Sequence, residues 1–175
     1  MHLFFVESYG RTAFVQPEIT EKLFPFLKRR EASLEESGYH IASNYLLSPV
    51  VGGYSWIAEA AVLTGIDISN QSEYDEVMKS EVDTLSGIMR EEGYLTLLSM
   101  PGTIHGEWPE AKSFYRFEET ILGDDFTYEG PMFSFVPVPD QIAVFQSYQF
   151  LSVLRSDGDT RPAFTEHVLV SSHTP

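Results

Sequence analysis

The chain has 175 residues, of which 43% are hydrophobic and 21% charged, a balance typical of a folded globular chain rather than a disordered one. Its 26 acidic residues outnumber the 11 basic ones, and the resulting net charge of -15 argues against nucleic acid as a partner. Cysteine is absent, which excludes disulfides and thiolate metal sites, and the sequence shows neither a secretory signal nor an apolar run of the ~18 residues that span a bilayer.

The first part of the chain predicts two strands separated by a helix. Residues 2–6 form a short apolar run that ends at Glu7, as a buried strand would. Apolar side chains at helical spacing then predict a helix over residues 18–37, which Pro25 should kink or split. Residues 39–47 are apolar enough to predict a second strand.

Strands and helices continue to alternate in the rest of the chain, after a glycine-bearing turn at residues 48–56. The predicted elements are, in order, a helix at 57–63, a helix at 72–92, a strand at 95–100, a loop-rich region at 102–139, a helix at 140–155 and a strand at 164–171. This alternation predicts an α/β fold with a largely parallel central sheet.

Polar segments follow three of the predicted strands. They are residues 7–11, the turn at 52–55 and residues 171–173. Ligands of open parallel sheets collect at the carboxyl ends of the strands, and these ends meet at one edge. The sequence therefore predicts a functional site formed by these three segments.

Ser55 and Glu7 are the first candidates for chemistry at this edge. Ser55 follows two glycines and opens a predicted helix, whose backbone amides would stabilise an anionic phosphate or sulfate near a serine nucleophile. The alternative is that Ser55 only caps the helix. Glu7 ends a buried strand and would suit Mg²⁺, Mn²⁺ or Ca²⁺ as an oxygen ligand, the alternative being a salt bridge with Arg11.

Three further side chains are candidates for substrate binding. His173 follows the last predicted strand and could contact an ester oxygen, although a lone terminal histidine is often merely exposed. His105 and Trp108 follow the strand at 95–100 and could wall a substrate pocket, or could serve as packing anchors. The acidity itself indicates either a solvated surface or an acidic binding or immunity-type protein that docks on a basic partner.

The order of several short motifs resembles the start of bacterial sulfatase-like membrane proteins of the alkaline phosphatase superfamily, which includes lipoteichoic acid synthases and phosphoethanolamine transferases. The resemblance extends over essentially the whole chain. The motifs are FFVESYGR (4–11), SPVVGGYSWIAEA (48–60), LTG (63–65), MPGT (100–103), WPE (108–110), YEGPMF (128–133), PDQ (139–141) and LVSSHTP (169–175).

This resemblance implies roles for individual residues. Glu7 matches the first metal ligand, and Ser55 matches a nucleophile that also contacts the metal. His173 and Trp108 match side chains near the substrate. The implied reaction is attack by a metal-activated hydroxyl on a phosphate or sulfate ester, giving a covalent ester that water or an alcohol resolves. The implied cofactor is Mn²⁺, Mg²⁺ or Ca²⁺, or Zn²⁺, held weakly without a downstream Asp-His pair.

The resemblance also implies how the chain is organised. Residues 1–175 match the N-terminal part of a single catalytic domain, a three-layer sandwich that would be incomplete at its C-terminus and catalytically incomplete alone. A formylglycine motif is absent around Ser55, so sulfatase chemistry need not follow. The full-length protein is expected to be membrane-anchored and to face the periplasm or cell exterior, while this stretch is soluble.

Overall fold

A computed structural model gives the structure of residues 1–8, 10–103, 108–132 and 136–173. Five helices follow the first strand, and strands and helices then alternate up to a last strand. They are β1 (His2–Val6), α1 (Thr12–Val15), α2 (Pro17–Glu36), α3 (Ser55–Thr64), α4 (Gln71–Val77), α5 (Leu85–Glu91), β2 (Leu95–Met100), α6 (Glu110–Ser113), β3 (Glu119–Leu122), α7 (Asp140–Ser156) and β4 (Ala163–Leu169).

The described strands form one four-stranded sheet in the order β1-β4-β2-β3, and every pairing in it is parallel. β4 lies between β1 and β2, with Glu166 opposite Leu3 on one side and Leu98 on the other. The predicted α/β fold with a mostly parallel sheet is therefore confirmed. The three carboxyl ends of β1, β4 and β2 lie along one edge.

Helices cover the sheet on both faces, which gives three layers. On one face, α3 packs Ile57 and Ala60 into a core cluster with Leu98 of β2 and Phe164 of β4. On the other face, α7 packs against a second cluster that contains Leu97. Successive residues of a strand point to opposite faces, so the adjacent Leu97 and Leu98 belong to different clusters.

The chain divides into two compact units. The sheet unit comprises Met1–Glu7 and Ser48–Pro175, and the helical unit comprises Ser8–Leu47. Within the helical unit, α1 and α2 follow one another, and the ring of Phe14 lies 6.3 Å from those of Phe24 and Tyr45. None of the residues of α2 is buried. Across the described ranges, no helix is both long and apolar enough to cross a membrane.

The strand predicted at residues 39–47 is absent, and this prediction is wrong. The backbone there has no regular secondary structure, and Leu46 and Leu47 are 92% and 98% exposed. Apolar content alone does not make a strand, because a strand also needs a neighbour that pairs with its backbone groups. The helix before this segment stays a single element through Pro25.

Two other differences lie in the sheet unit. The single helix predicted at 72–92 is two short helices, because Thr84 begins α5 by accepting a hydrogen bond from the Gly87 amide at 3.1 Å. The polar residues just before Thr84 favour the break. In addition, β3 lies inside the region predicted as loop-rich, where Leu97 of β2 pairs with Glu119.

Candidate functional site

Glu7 lies at the carboxyl end of β1, where the sheet holds it in place. Its amide donates a hydrogen bond to the carbonyl of Leu169 at 3.0 Å and so extends the pairing of β1 with β4. Its carbonyl accepts a hydrogen bond from the hydroxyl of Ser172. The side chain is only 12% exposed. Backbone pairing thus holds Glu7 in place, and its carboxylate faces the start of α3 and the turn that follows β4.

Ser55 reaches the same position from the start of α3. The preceding residue, Tyr54, has a left-handed backbone with φ of 59° and makes no side-chain cap to the helix. The Ser55 hydroxyl donates a hydrogen bond to Oε1 of Glu7 at 2.7 Å. The alternative in which Ser55 merely caps the helix is therefore not what is observed, since its hydroxyl points across to β1. The expected proximity of Glu7 and Ser55 is found.

His173 approaches Glu7 from the other side. A turn after β4 is closed by a hydrogen bond from the His173 amide to the carbonyl of Val170 at 3.0 Å. The ring places Nδ1 against Oε2 of Glu7, and its side chain is 32% exposed. Glu7 thus joins Ser55 through one carboxylate oxygen and His173 through the other. The three segments predicted to meet at one edge each contribute one of these side chains.

Asp140 positions the turn that carries His173. Its Oδ1 accepts hydrogen bonds from the amides of Val170 and Ser171, each at 2.9 Å. Its own amide, in the first turn of α7, donates to the hydroxyl of Ser171 at 2.9 Å. Sequence reasoning did not assign this role. The available signal was a carboxylate directly after Pro139 at a helix start, which is a common place for an acid that binds backbone amides.

The two predicted pocket residues are placed differently. Trp108 lies with its ring centre 5.2 Å from that of Tyr115 and packs on the core cluster under α3. This contact is a packing contact, and a role for Trp108 in binding substrate stays a prediction. His105 lies outside the described residues.

A second carboxyl, that of Glu59, lies beneath the site. Glu59 comes four residues after Ser55 on α3, so both side chains lie on the same side of the helix. Glu59 is 4% exposed, and its Oε2 has no hydrogen-bond partner among the described residues. Burial, and secondarily the charge of Glu7, raises the pKa of Glu59 to about 8. At neutral pH this side chain is therefore mainly a neutral acid.

The centre of β4 carries a third carboxyl. Glu166 is fully buried, and neither of its carboxyl oxygens has a hydrogen-bond partner in the described structure. Burial first, and the charge of Glu59 second, raises its pKa well above the usual range. The next residue, His167, faces the opposite side of the sheet, where burial and the neighbouring His2 lower its pKa to about 4. Burial thus favours the neutral form of both side chains.

The donor atoms of the site suit a hard divalent cation in kind but not in number. Glu7 offers a carboxylate and Ser55 a hydroxyl, the oxygen ligands that Mg²⁺, Mn²⁺ and Ca²⁺ prefer. However, the described residues contain no group of three or more His, Asp or Glu side chains placed to hold a metal ion. Since such cations take about six ligands, Glu7 and Ser55 would form only part of a complete site.

With this geometry established, the fold can be compared with known proteins. Neither the protein-family models nor the curated proteins contain a match to the sequence. Among solved structures, the crystal structure of the lipoteichoic acid synthase LtaP from Listeria monocytogenes is similar to this chain with a TM-score of 0.69 and 16% sequence identity. The similarity covers 100% of this chain and 41% of that chain.

This similarity concerns the fold. The four-stranded parallel sheet with helices on both faces corresponds to a part of an enzyme structure, and this chain spans less than half of that structure's length. At 16% identity, the likeness does not by itself assign residues or activity. What the structure shows of the site is that Glu7 contacts both Ser55 and His173.

Proposed function

We propose that this chain forms part of a metal-dependent hydrolase or transferase that acts on phosphate or sulfate esters through Ser55. The observation that carries the proposal is the 2.7 Å hydrogen bond from the Ser55 hydroxyl to Glu7, made at the first residue of a helix. A hydroxyl held by a carboxylate at a helix N-terminus combines a nucleophile with an environment that favours an anion. The similarity in fold to a lipoteichoic acid synthase supports the same class.

In the proposed reaction, the Ser55 oxygen bonds to the phosphorus or sulfur atom of the ester. The ester oxygen leaves with the electrons of the bond that breaks, and Glu7 is placed to accept the proton of Ser55. Water or an acceptor alcohol then resolves the covalent ester on Ser55. His173, which contacts Glu7, would hold a non-bridging oxygen of the ester. The choice between water and alcohol would decide between hydrolase and transferase activity.

Glu7 and Ser55 would bind the divalent cation that this reaction requires. When bound, such a cation lowers the pKa of a coordinated hydroxyl and neutralises charge on the ester. We further propose that the whole protein is anchored at a membrane and works on its periplasmic or outer side.

The test is turnover of p-nitrophenyl phosphate and p-nitrophenyl sulfate with Mn²⁺. The complete natural protein that contains this sequence should hydrolyse one of them, and Ser55→Ala should lower kcat by ~10³-fold or more because the nucleophile is lost. The exposed Ser72→Ala on α4 is the matched control and should keep full activity. The 175-residue chain alone should be nearly inactive, because two protein oxygens hold a hard cation weakly.

Two results would count against the proposal. An active Ser55→Ala variant would remove the assignment of the nucleophile. Rapid turnover by the 175-residue chain alone would show that Glu7 and Ser55 do not depend on further ligands, which contradicts the account of the cation site. A complete protein that is inert toward both esters but binds a basic protein would favour the alternative of an acidic binding protein.

A further inference from the structure

The two residues that flank Ser55 in the sequence are both aromatic, and their rings contact each other. The ring centres of Tyr54 and Trp56 lie 5.2 Å apart in an edge-to-face arrangement, with an angle of 66° between the ring planes. Tyr54 is 53% exposed and Trp56 38% exposed, so the pair leaves aromatic surface open. Because consecutive Cα atoms are only about 3.8 Å apart, this surface lies directly beside Ser55.

Both members of this aromatic pair are held in place. Tyr54 has a φ of 59°, in the left-handed region, which a bulky side chain rarely adopts, and it follows Gly52 and Gly53 in the same region. The indole Nε1 of Trp56 donates a hydrogen bond to Oε1 of Gln71 on α4 at 3.2 Å. Unfavourable backbone conformations of this kind are concentrated at catalytic and ligand-binding positions. The pair is therefore a preorganised feature of the turn before α3.

The part of the chain that carries the pair is acidic. Residues 31–78 contain no Lys or Arg. Helix α4, which supplies Gln71, also carries Glu73, Asp75 and Glu76. The Nε2 of Gln71 donates a hydrogen bond to Oδ1 of Asp75 at 2.7 Å, so a carboxylate lies behind the residue that holds the indole. The faces of aromatic rings attract cations, and nearby negative charge adds to this attraction. These surroundings favour a positively charged ligand group.

We propose that Tyr54 and Trp56 bind a quaternary ammonium group on the alcohol part of the ester that reacts at Ser55. This inference rests on the proposed function for the reaction and on the aromatic pair for the ligand. A quaternary ammonium spreads its charge over methyl groups and has no N–H to donate, so aromatic faces recognise it better than hydrogen-bond acceptors do. In a choline ester the ammonium nitrogen is two carbon atoms from the ester oxygen, which suits side chains next to the nucleophile.

The first experiment titrates the 175-residue chain with choline and with its uncharged isostere, 3,3-dimethylbutanol. It follows the indole N–H resonance of Trp56, which is assigned by its loss in Trp56→Phe. Choline should bind about tenfold more tightly than the isostere, because only choline gains the attraction of a cation to the ring faces. Tyr54→Leu removes one ring and should weaken choline binding by about fivefold, whereas Tyr54→Phe keeps the ring and should keep the affinity.

The matched control for the loss of an exposed ring is Phe145→Leu on α7, which should leave choline binding unchanged. A general attraction of choline to the net charge of -15 would be insensitive to Tyr54→Leu and would be weakened by salt. Equal affinities for choline and 3,3-dimethylbutanol would overturn the inference. Wild-type affinity for choline in Tyr54→Leu would also overturn it.

A second experiment separates this inference from the proposed function. The complete natural protein, with Mn²⁺, should release phosphate from phosphocholine with a kcat/KM about tenfold above that for 3,3-dimethylbutyl phosphate, and Tyr54→Leu should remove this preference by raising KM for phosphocholine. Equal kcat/KM values would overturn the inference and leave the proposed function intact. Inactivity toward these two esters and both p-nitrophenyl esters, with choline binding intact, would overturn the proposed function and leave the ammonium site confirmed.

Discussion

The sheet unit and the helical unit differ in both charge and burial. Residues 8–47 contain five basic and five acidic side chains, so the rest of the chain carries the whole net charge of -15. In the sheet unit, Leu97 and Leu98 of β2 are fully buried, whereas no residue of the 20-residue helix α2 is buried. The acidic unit therefore encloses a core, whereas none of the described residues of the electroneutral unit is buried.

This difference shows two ways in which a sequence forms regular structure. The strands of the sheet unit are stabilised by removal of apolar surface from water, at about 25 cal/mol for each Å² buried. The helix of the helical unit depends on local hydrogen bonds and on its ends, such as the Tyr39 amide that donates to the carbonyl of Leu34 at 3.0 Å. The first kind of structure is cooperative over a long range, and the second is local.

The largest expected contrast is between two leucine truncations. Leu98→Ala in β2 removes a fully buried side chain and should lower the free energy of unfolding by about 2–5 kcal/mol. Leu34→Ala in α2 removes a side chain that is already 44% exposed, and its effect should stay within about 0.5 kcal/mol. Urea denaturation followed by circular dichroism measures both. Equal effects would mean that α2 is buried in solution.

The next contrast is in the dependence of stability on pH. Burial, followed by the charge of Glu7, raises the pKa of Glu59 from 4.5 to about 8. The folded chain therefore favours the protonated form of Glu59. The contribution of this proton to the free energy of unfolding is fully present below pH 4.5 and is lost as the pH rises through about 8. The loss amounts to at most about 1.4 kcal/mol per pH unit for one proton. Glu166 contributes in the same direction.

In Glu59→Gln, the free energy of unfolding should therefore decline less steeply between pH 4.5 and 8. The slope should differ from that of the wild type by at most about 1.4 kcal/mol per pH unit, the value for one proton. The measurement is the urea midpoint of the wild type and the variant at pH 5, 6, 7 and 8. An unchanged slope would show that Glu59 is ionised in the folded chain. A variant that gains stability toward pH 8 relative to the wild type would agree with the expected sign.

The smallest expected contrast in stability is between two polar side chains that form hydrogen bonds to backbone groups. Asp140→Ala removes the acceptor of the Val170 and Ser171 amides and should cost about 1–3 kcal/mol. Thr20→Ala in α2 removes an exposed hydrogen bond to the carbonyl of Pro17 and should change stability by less than about 0.5 kcal/mol. Asp140→Asn keeps one acceptor oxygen and should recover part of the loss.

The same variants also test the position of His173. If Asp140 fixes the turn after β4, the ring resonances of His173 should shift in Asp140→Ala and return toward the wild type in Asp140→Asn. They should be unaffected by Thr20→Ala. Unchanged His173 resonances in Asp140→Ala would show that Asp140 stabilises the turn without setting the position of His173.

Much of the sheet unit could be predicted from the sequence because β1, β2 and β4 are rich in apolar residues and lie between turn signals. The runs at 2–6 and 95–100 match β1 and β2 in their bounds, since they are mostly apolar segments that end at a charged residue or a turn signal. β3 could not be predicted in this way. It has four residues, begins with Glu119 and becomes a strand only through its pairing with β2. Residues 39–47 show the converse, since they are apolar but have no regular structure.

The site could be predicted in part for a similar reason. A strand end and a helix start are visible in sequence, so Glu7 and Ser55 could be named, and the two side chains do meet. The reason expected for Ser55 was wrong, because the strand predicted at 39–47 before its turn is absent. Glu59 and Asp140 could not be named, because their importance depends on what surrounds them in three dimensions. The only sequence signal of each is an acidic residue at an unusual position. Glu59 interrupts the apolar run IAEAAVL, and Asp140 follows a proline at a helix start.

The pairing of β1 with β4 has a consequence for the order of events during synthesis. His2 pairs with Thr165, and Glu7 contacts His173 across 166 positions of sequence. At about 5–20 residues added per second, β1 leaves the ribosome on the order of 10–30 s before its partner strand exists. During that time Glu7 has no neighbouring β4 backbone to hold it, and closing so long a loop makes this pairing slow. Glu7 therefore acquires its fixed position among the last events of folding, and a contact between Glu7 and His173 would mark a nascent chain that has finished its sheet.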